Sequence, residues 1–485
     1  YFLQFSLFTQ TQSFSMAALM LLLLVLITAA LISLNHSGRK PIANLRLAGT
    51  MLAQAVPFML VLFVLFPRIQ GPLWGLPSDA YSGLSGLSDT MSPGSISNLS
   101  LSDAIAFRVR FSGTPPQQNA LYWRGPVLSQ FDGKEWRPER VPAGPVLPYA
   151  VSGTPISYTV TLEPHNKPWL FALEMPAMLP PNSTISDNYQ LLAKDPVRTR
   201  LRYEMQSLSN FNPGIDEDQD TLRGALQLPT GYNPRSRALA AEWRTRINSD
   251  TALVQQALNH FRSEPFAYTL RPPLLGENSV DEFLFESRRG FCEHYAASFV
   301  VLMRAAGIPA RVVTGYQGGE INPVDQFMEV RQADAHAWAE VWLDGRGWVR
   351  VDPTAAVAPS RIERSLAMAV PSGDPLPFLA RAGFSWLKTV RFRWDALANT
   401  WNQWVLGYNA ERQRSFSKKK AAAVILMTAI SMMLAAALLP QPSEHVHCFG
   451  QVFAKTQGRV PITGPDQALG PRHRRQRGKH ALLYY

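Results

Sequence analysis

The run Leu19-Met-Leu-Leu-Leu-Leu-Val-Leu-Ile27 lies inside a longer stretch, Met16 to Leu34, whose only polar members are Thr28 and Ser33. A helix needs about 20 such residues to cross a bilayer, so this stretch predicts a membrane span. A second span is predicted from Leu47 to Phe66, where Gln54 and Pro57 are tolerable when neighbouring helices cover them. A cleavable leader fits the first stretch poorly. A second apolar stretch follows at once, and no small-residue cleavage site separates the two.

The composition agrees with spans joined to a water-facing region: 46% of residues are hydrophobic and only 17% charged. Arg39, Lys40 and Arg46 lie between the two apolar stretches, against Arg68 alone beyond the second. By the positive-inside rule the connector is cytoplasmic and the long central region faces outward. A third apolar stretch, Ala421 to Leu439, returns the chain, although Lys418 to Lys420 run against that assignment. The net charge of +11 gathers at such flanks and in the tail. Without a recognition motif it predicts lipid contact and no nucleic acid.

Residues 67–225 read as a β-rich, sandwich-like module. Ala104 to Phe111, Ile156 to Leu162 and Thr199 to Tyr203 alternate as strands do, and Asp132-Gly133 marks a hairpin. From 226 to 365 the pattern changes. Asn233-Pro234 offers a cap and first-turn proline for a helix from Arg235 to Ile247, and Asp250 opens another through Arg262. Within 366–417, Leu387, Val390, Trp394, Leu397, Trp401, Trp404 and Tyr408 alternate spacings of three and four. That stripe predicts a helix packed on its own domain or lying on a membrane surface ahead of the span at 418–440. Residues 441–485 read as basic, Pro-, Gly- and His-rich coil.

Cys292 and Cys448 are the only cysteines, so no disulfide framework is present. The segment Ser287 to Pro309 reads as a helix with Gly290 before it and Gly307 and Pro309 ending it, placing Cys292 in the first turn. A helix N-terminus favours a thiolate, with Arg288 and Arg289 adding to the effect. Alone, Cys292 reads more readily as a small buried residue. The two segments after the helix reverse that preference. Arg311 to Tyr316 is a strand, and Asp334 to Leu343 is a second, with His336, Trp338, Glu340 and Trp342 on one face. A turn at Asp344 to Gly347 leads back through Trp348 to Asp352. A three-residue loop with Gly347 as the bulge sets Trp342 against Trp348, Glu340 against Arg350 and Trp338 against Asp352. Asp352 is then the diagonal neighbour of His336; a one-residue slip would move it to the other face. Cys292 as nucleophile, His336 as base and Asp352 as its orienting acid form an acyl-transfer set, with the Cys292 N–H as one oxyanion donor and no second donor evident. His294 points away along the helix.

The motifs Gly290-Phe-Cys-Glu-His-Tyr-Ala296, Arg304 to Tyr316, Asp334 to Trp342 and Trp348-Val-Arg-Val-Asp-Pro-Thr354 resemble the core of the transglutaminase-like superfamily. With apolar helices on either side, the chain is most similar to bacterial inner-membrane members of the TgpA type. That resemblance implies an α+β papain-like transglutaminase core preceded by a β-rich module and flanked by transmembrane helices. It also implies a multi-pass inner-membrane protein whose catalytic domain faces the periplasm. Cys292, His336 and Asp352 match the family's catalytic residues, and no cofactor, calcium or other metal is implied. Fewer spans precede residue 67 than the family carries, as in a chain truncated upstream, and 441–485 do not resemble its cytosolic segment.

The predicted activity is glutamine-type acyl transfer on a protein or peptide of the cell envelope. Hydrolysis by the same residues and a non-catalytic scaffold are the alternatives. Asp216-Glu-Asp-Gln-Asp220 begins like a calcium loop but has Thr221 and Gln227 where Gly and Glu are required. His445-Val-His-Cys448 lacks a second cluster to complete a metal site.

Overall fold

A computed structural model describes residues 14–35, 40–65, 86–139, 150–208, 210–371, 373–375 and 385–403. The chain divides into two compact units, 1–70 with 408–485, and 71–407. In the first unit, helices α1 (Phe14–Asn35) and α2 (Pro41–Leu65) follow the first two apolar stretches. Within α1, Met16–Asn35 is the one helix among the described residues long and apolar enough to cross a membrane. Asn44 donates to Ser33 Oγ at 2.7 Å, linking the two helices. The expected third span, Lys418 to Lys420 and residues 441–485 lie outside the described residues.

Among the described residues, a six-stranded and a five-stranded sheet form the frame of the second unit, beside four two-stranded ones. Strands β1 (Ile105–Phe111), β2 (Tyr122–Leu128), β3 (Ile156–Leu162), β4 (Ala172–Leu173), β5 (Met175–Met178) and β6 (Leu201–Leu208) come from the first half. The second half supplies β7 (Ala310–Gln317), β8 (Glu320–Ile321), β9 (Met328–Arg331), β10 (Ala335–Leu343) and β11 (Gly347–Val351). The sheet orders are β8-β9-β1-β3-β6-β5 and β11-β10-β7-β2-β4. The expected strands are present, but they do not form a self-contained module ending near 225. β2 and β4 complete the sheet that carries His336, and β8 and β9 cover the edge of β1. An unpaired strand edge is a liability that pairing removes, and here each half removes the other's. Phe107 meets Trp123 and Tyr316 edge-on at 5.4 Å, sealing the two sheets together.

Three helices support this frame: α3 (Pro234–Arg246), α4 (Asp250–Ser263) and α5 (Cys292–Ala305). Pro234 opens α3 as expected, but Asn233 does not cap it. Asn233 is left-handed (φ 51°), and its side-chain oxygen accepts from the N–H groups of Val280 and Asp281. The Asp281 carboxylate accepts from Arg235 and Ser236 N–H in return, so the two turns cap each other.

Helix α6 (Ser385–Trp401) packs on its own domain, one of the two expectations drawn from its aromatic stripe, but not through that stripe. Its buried residues are Phe392, Ala396 and Asn399, while Val390, Trp394 and Leu397 are about half exposed. Ion pairs hold it: Lys388 and Arg391 to Glu320, and Asp395 to Arg331. The domain-facing side is thus the more polar one. Trp404 and Tyr408 lie outside the described residues.

The β10–β11 register is the expected one, with Trp342 opposite Trp348 and Glu340 opposite Arg350. Gly347 is left-handed (φ 68°), and a Cβ there would collide with the Pro213 carbonyl oxygen. Trp348 N–H donates to that oxygen at 2.8 Å, so the hairpin cannot back away freely. Gly347→Ala is expected to destabilise the domain by about 1–3 kcal/mol, read as a lower Tm. An unchanged Tm would mean the hairpin relaxes without cost.

Candidate active site

Helix α5 starts where the sequence places its start. Phe291 is the N-cap in extended conformation, and Gly307 (φ 82°) closes the far end. The His294 Nδ1 accepts from Phe291 N–H at 3.2 Å, so this histidine fixes the start of the helix. Burial pushes its pKa down to about 4, leaving it neutral.

Cys292 is the first residue of α5 and is completely buried. Burial pushes its thiol well above the ordinary range, and neighbouring Glu293 adds to the shift. The Ala337 backbone N–H and Arg361 act in the opposite direction but do not prevail. Burial thus favours the neutral thiol at rest, where the sequence led to the expectation of a thiolate. Arg288 is engaged elsewhere, 2.9 Å from Glu264. Glu293 itself is pushed up to about 7 by burial, against hydrogen bonds from Ile96 N–H (2.8 Å), Gly94 N–H (2.6 Å) and Ser95 Oγ (3.2 Å).

His336 and Asp352 are brought together. His336 Nε2 lies 2.8 Å from Asp352 Oδ2, and Nδ1 has no hydrogen-bond partner among the described residues. The ring is fully buried, which lowers its pKa, while the Asp352 charge pulls it back up. Asp352 Oδ2 also accepts from Tyr122 O–H at 2.7 Å, and Oδ1 from Thr354 N–H at 2.9 Å. Burial opposes ionisation of Asp352, yet His336 and these donors hold it below the usual carboxylate range. The thiol and the ring share no hydrogen bond. They are nonetheless neighbours, because the N–H that favours the thiolate belongs to Ala337, the residue after His336.

Tyr122, Arg361 and Tyr268 escape the sequence reading. Tyr122 arrives on β2 from the other half of the chain. Burial and the Asp352 charge push its phenol well above its usual range, so it stays a donor. The Arg350 guanidinium sits 3.7 Å over its ring. Buried Arg361 donates to Gln317 Oε1 at 2.8 Å and faces Tyr268, Cys292 and Asp352 electrostatically. Tyr122→Phe removes one donor to Asp352 but leaves the imidazole bond. The expected result is an Asp352–His336 pair whose carboxylate titrates higher, with turnover reduced about 10–100-fold, on the order of one hydrogen bond to a charged group. Equal pH–rate profiles in both proteins would exclude that role.

Glu340 departs from the predicted pairing despite the correct register. It accepts from buried Arg124 and Arg311, the latter at 2.9 Å, while Arg350 turns to Glu174 at 2.7 Å. The acidic run before 221 has structural uses: Asp218 caps the turn at 219–224 and Glu217 accepts from Trp348 Nε1 at 2.6 Å.

Residues 1–213 match the TgpA N-terminal domain family and 237–353 the transglutaminase-like superfamily. A Pseudomonas aeruginosa protein named protein-glutamine gamma-glutamyltransferase is 43% identical over 421 residues, which is 85% of this chain and 63% of that protein. YebA of Bacillus subtilis, an uncharacterised protein, is 32% identical over 175 residues, 34% of this chain and 23% of its own length. The chain therefore spans less than two thirds of these curated relatives. The crystal structure of the periplasmic domain of TgpA from Pseudomonas aeruginosa matches with a TM-score of 0.57 and 44% identity, covering 59% of this chain and all of that domain. By motif, by sequence and by fold, a β-rich N-terminal region joined to a transglutaminase-like core, this chain belongs to the TgpA type of the transglutaminase-like superfamily.

Proposed function

We propose that the chain is a membrane-anchored acyltransferase that uses Cys292, His336 and Asp352 to transfer the acyl group of a glutamine-type carboxamide to an amine through a thioester. The observation that carries this reading is the free Nδ1 of His336. Asp352 takes the proton on Nε2, which fixes the tautomer and leaves a lone pair on Nδ1, the nitrogen a papain-like base uses. A raised thiol and a lowered imidazole describe a neutral pair at rest. Catalytic hydrogen bonds of this kind commonly tighten only when substrate arrives.

In the proposed sequence, Sγ attacks the carboxamide carbon as its proton passes to Nδ1. The tetrahedral adduct collapses, and ammonia leaves with the proton from His336. An amine then attacks the thioester, His336 removes its proton, and the thiol is regenerated as the new amide forms. The apolar stretches at 16–34, 47–66 and 421–439 support a multi-pass anchor in the inner membrane with the domain in the periplasm. Peptides or proteins of the envelope are the substrates within reach there. The name of the Pseudomonas relative supports transfer over hydrolysis.

The test supplies a labelled primary amine and a glutamine peptide to the full chain in detergent. Incorporation of label is expected, with none from Cys292→Ala and a loss of about 10²–10⁴-fold for His336→Ala. Retained incorporation by Cys292→Ala would refute the assignment. Ammonia release without incorporation would favour the hydrolase.

A further inference from the structure

Helix α6 turns its polar residues inward. Lys388 pairs with Glu320 at 2.6 Å and Asp395 with Arg331 at 2.8 Å, and Arg391 also reaches Glu320. Asn322 Nδ2 donates to the Phe392 carbonyl at 2.9 Å, Asn399 Nδ2 to Asp325 Oδ2 at 2.7 Å and Gln403 Nε2 to Thr161 Oγ1 at 3.1 Å. These contacts run the length of the helix, so it cannot roll to bury another side without breaking them. Val390, Trp394 and Leu397, spaced by four and three, make one outward row, exposed by 55%, 48% and 47%. Ile321 and Val324, next to the Asn322 and Asp325 that hold the helix, are exposed as well. A surface helix normally directs its apolar stripe at the core. Single exposed apolar side chains need no account, but an aligned row held outward marks an interaction surface.

The charges beside the row say what it meets. Asp395 is the one acid of Ser385–Trp401, and it is paired inward. Arg393 is exposed, and the Lys388 side chain is 56% exposed. The outward side therefore combines apolar side chains, a tryptophan and cations. That is the composition of a helix lying in the headgroup region of an anionic bilayer, its apolar face about 5–10 Å deep. The chain also delivers the helix there. Residues 404–420 join it to the apolar stretch Ala421 to Leu439, and even fully extended they span only about 60 Å. They carry Arg412, Arg414 and Lys418 to Lys420, cations suited to the same headgroups. We infer that Val390, Trp394 and Leu397, flanked by Lys388 and Arg393, seat α6 on the surface of a bilayer that contains anionic lipid. The inference rests on the membrane-anchor reading above. A second copy of the chain fits less well, since pairing the two rows would set the same cations face to face.

The test uses the full chain in vesicles, with Cys292→Ser and Cys448→Ser so that one introduced cysteine carries a nitroxide. Labels go at Val390→Cys and Leu397→Cys, at Leu26→Cys in α1, and at exposed Asp220→Cys as the water-facing reference. Collisions with oxygen, which concentrates in hydrocarbon, are compared with collisions with a nickel chelate, which stays in water. In mixed phosphatidylcholine and phosphatidylglycerol vesicles, the labels at 390 and 397 should favour oxygen as the label at 26 does, while the label at 220 favours nickel. Arg393→Ala should lower the ratio of immersed to free label at 397 about fivefold in these vesicles, the contribution of one cation near an anionic surface. In phosphatidylcholine alone it should change that ratio little. Nickel-favouring labels at 390 and 397 with an oxygen-favouring label at 26 would overturn the inference and leave the anchor standing. Labels shielded from both reagents would overturn it too, in favour of a second copy if spin–spin coupling broadens their spectra and of another segment of this chain if not. An Arg393→Ala effect equal in both lipids would exclude the anionic headgroup as partner. A nickel-favouring label at 26 would instead refute the anchor reading, and this inference with it.

Discussion

Asp352→Asn is expected to lower kcat/KM for amine transfer by about 10²–10⁴-fold while the domain stays folded. Both carboxylate oxygens are acceptors in the structure: Oδ2 for Tyr122 and His336, Oδ1 for the Thr354 N–H. An amide supplies one acceptor oxygen and one donor nitrogen. With the nitrogen at Oδ1, it opposes the Thr354 N–H. With the nitrogen at Oδ2, it donates to Nε2 and drives the imidazole proton to Nδ1, where the base is needed. Either way the productive arrangement is lost. The pH dependence carries a second signature. Burial lowers the His336 pKa and the Asp352 charge partly restores it, so removing the charge lowers it further. The acid limb of kcat/KM should therefore move to lower pH even as the plateau drops. A limb that moves upward, or a plateau near that of the wild type, would exclude Asp352 as the orienting acid.

Glu340→Ala should be the most damaging change to stability. The carboxylate lies between two buried guanidiniums, Arg124 and Arg311, and Arg311 is also stacked 3.8 Å over Trp348. Removing it leaves two buried cations without their counter-ion. Breaking a buried pair in this way costs about 3–5 kcal/mol, which corresponds to a Tm lower by on the order of 10 °C for a domain of this size. Although burial opposes its ionisation, the two arginines hold the Glu340 pKa below its usual value. That contribution to stability is present above the unfolded carboxylate pKa and is lost as pH falls through the folded one. Wild type should lose it at acid pH, and the variant has none of it to lose. Thermal unfolding from about pH 3 to about pH 7 reads both effects. Parallel curves for the two proteins would show the three-residue cluster to be dispensable.

Local patterns proved readable in the sequence. The Cys292 helix, its glycine stop and the β10–β11 register follow from short-range spacing, and each stands as expected. The His336–Asp352 contact follows from that register, since period two leaves no other face for Asp352. Longer-range features were not readable. Tyr122 reaches Asp352 across 230 residues, and nothing near Tyr122 marks it as a partner. Register fixes which residues are neighbours but not which charges pair, so Glu340 chose Arg124 and Arg311 over Arg350. Ionisation was hidden as well, because burial, which dominates the Cys292 thiol, depends on packing by the whole chain. For helix α6, a stripe of spacing three and four located the helix but did not say which face meets the domain.

The exchange of strands between the two sheets has a consequence for how this protein is made. Trp123 and its backbone acceptor Gly318 are 195 residues apart, so β2 leaves the ribosome long before β7 exists to receive it. Until then the nascent first half presents open strand edges and an unsheltered aromatic face, the conditions that favour aggregation over slow, long-range closure. Synthesis halted near residue 225 should yield an insoluble fragment.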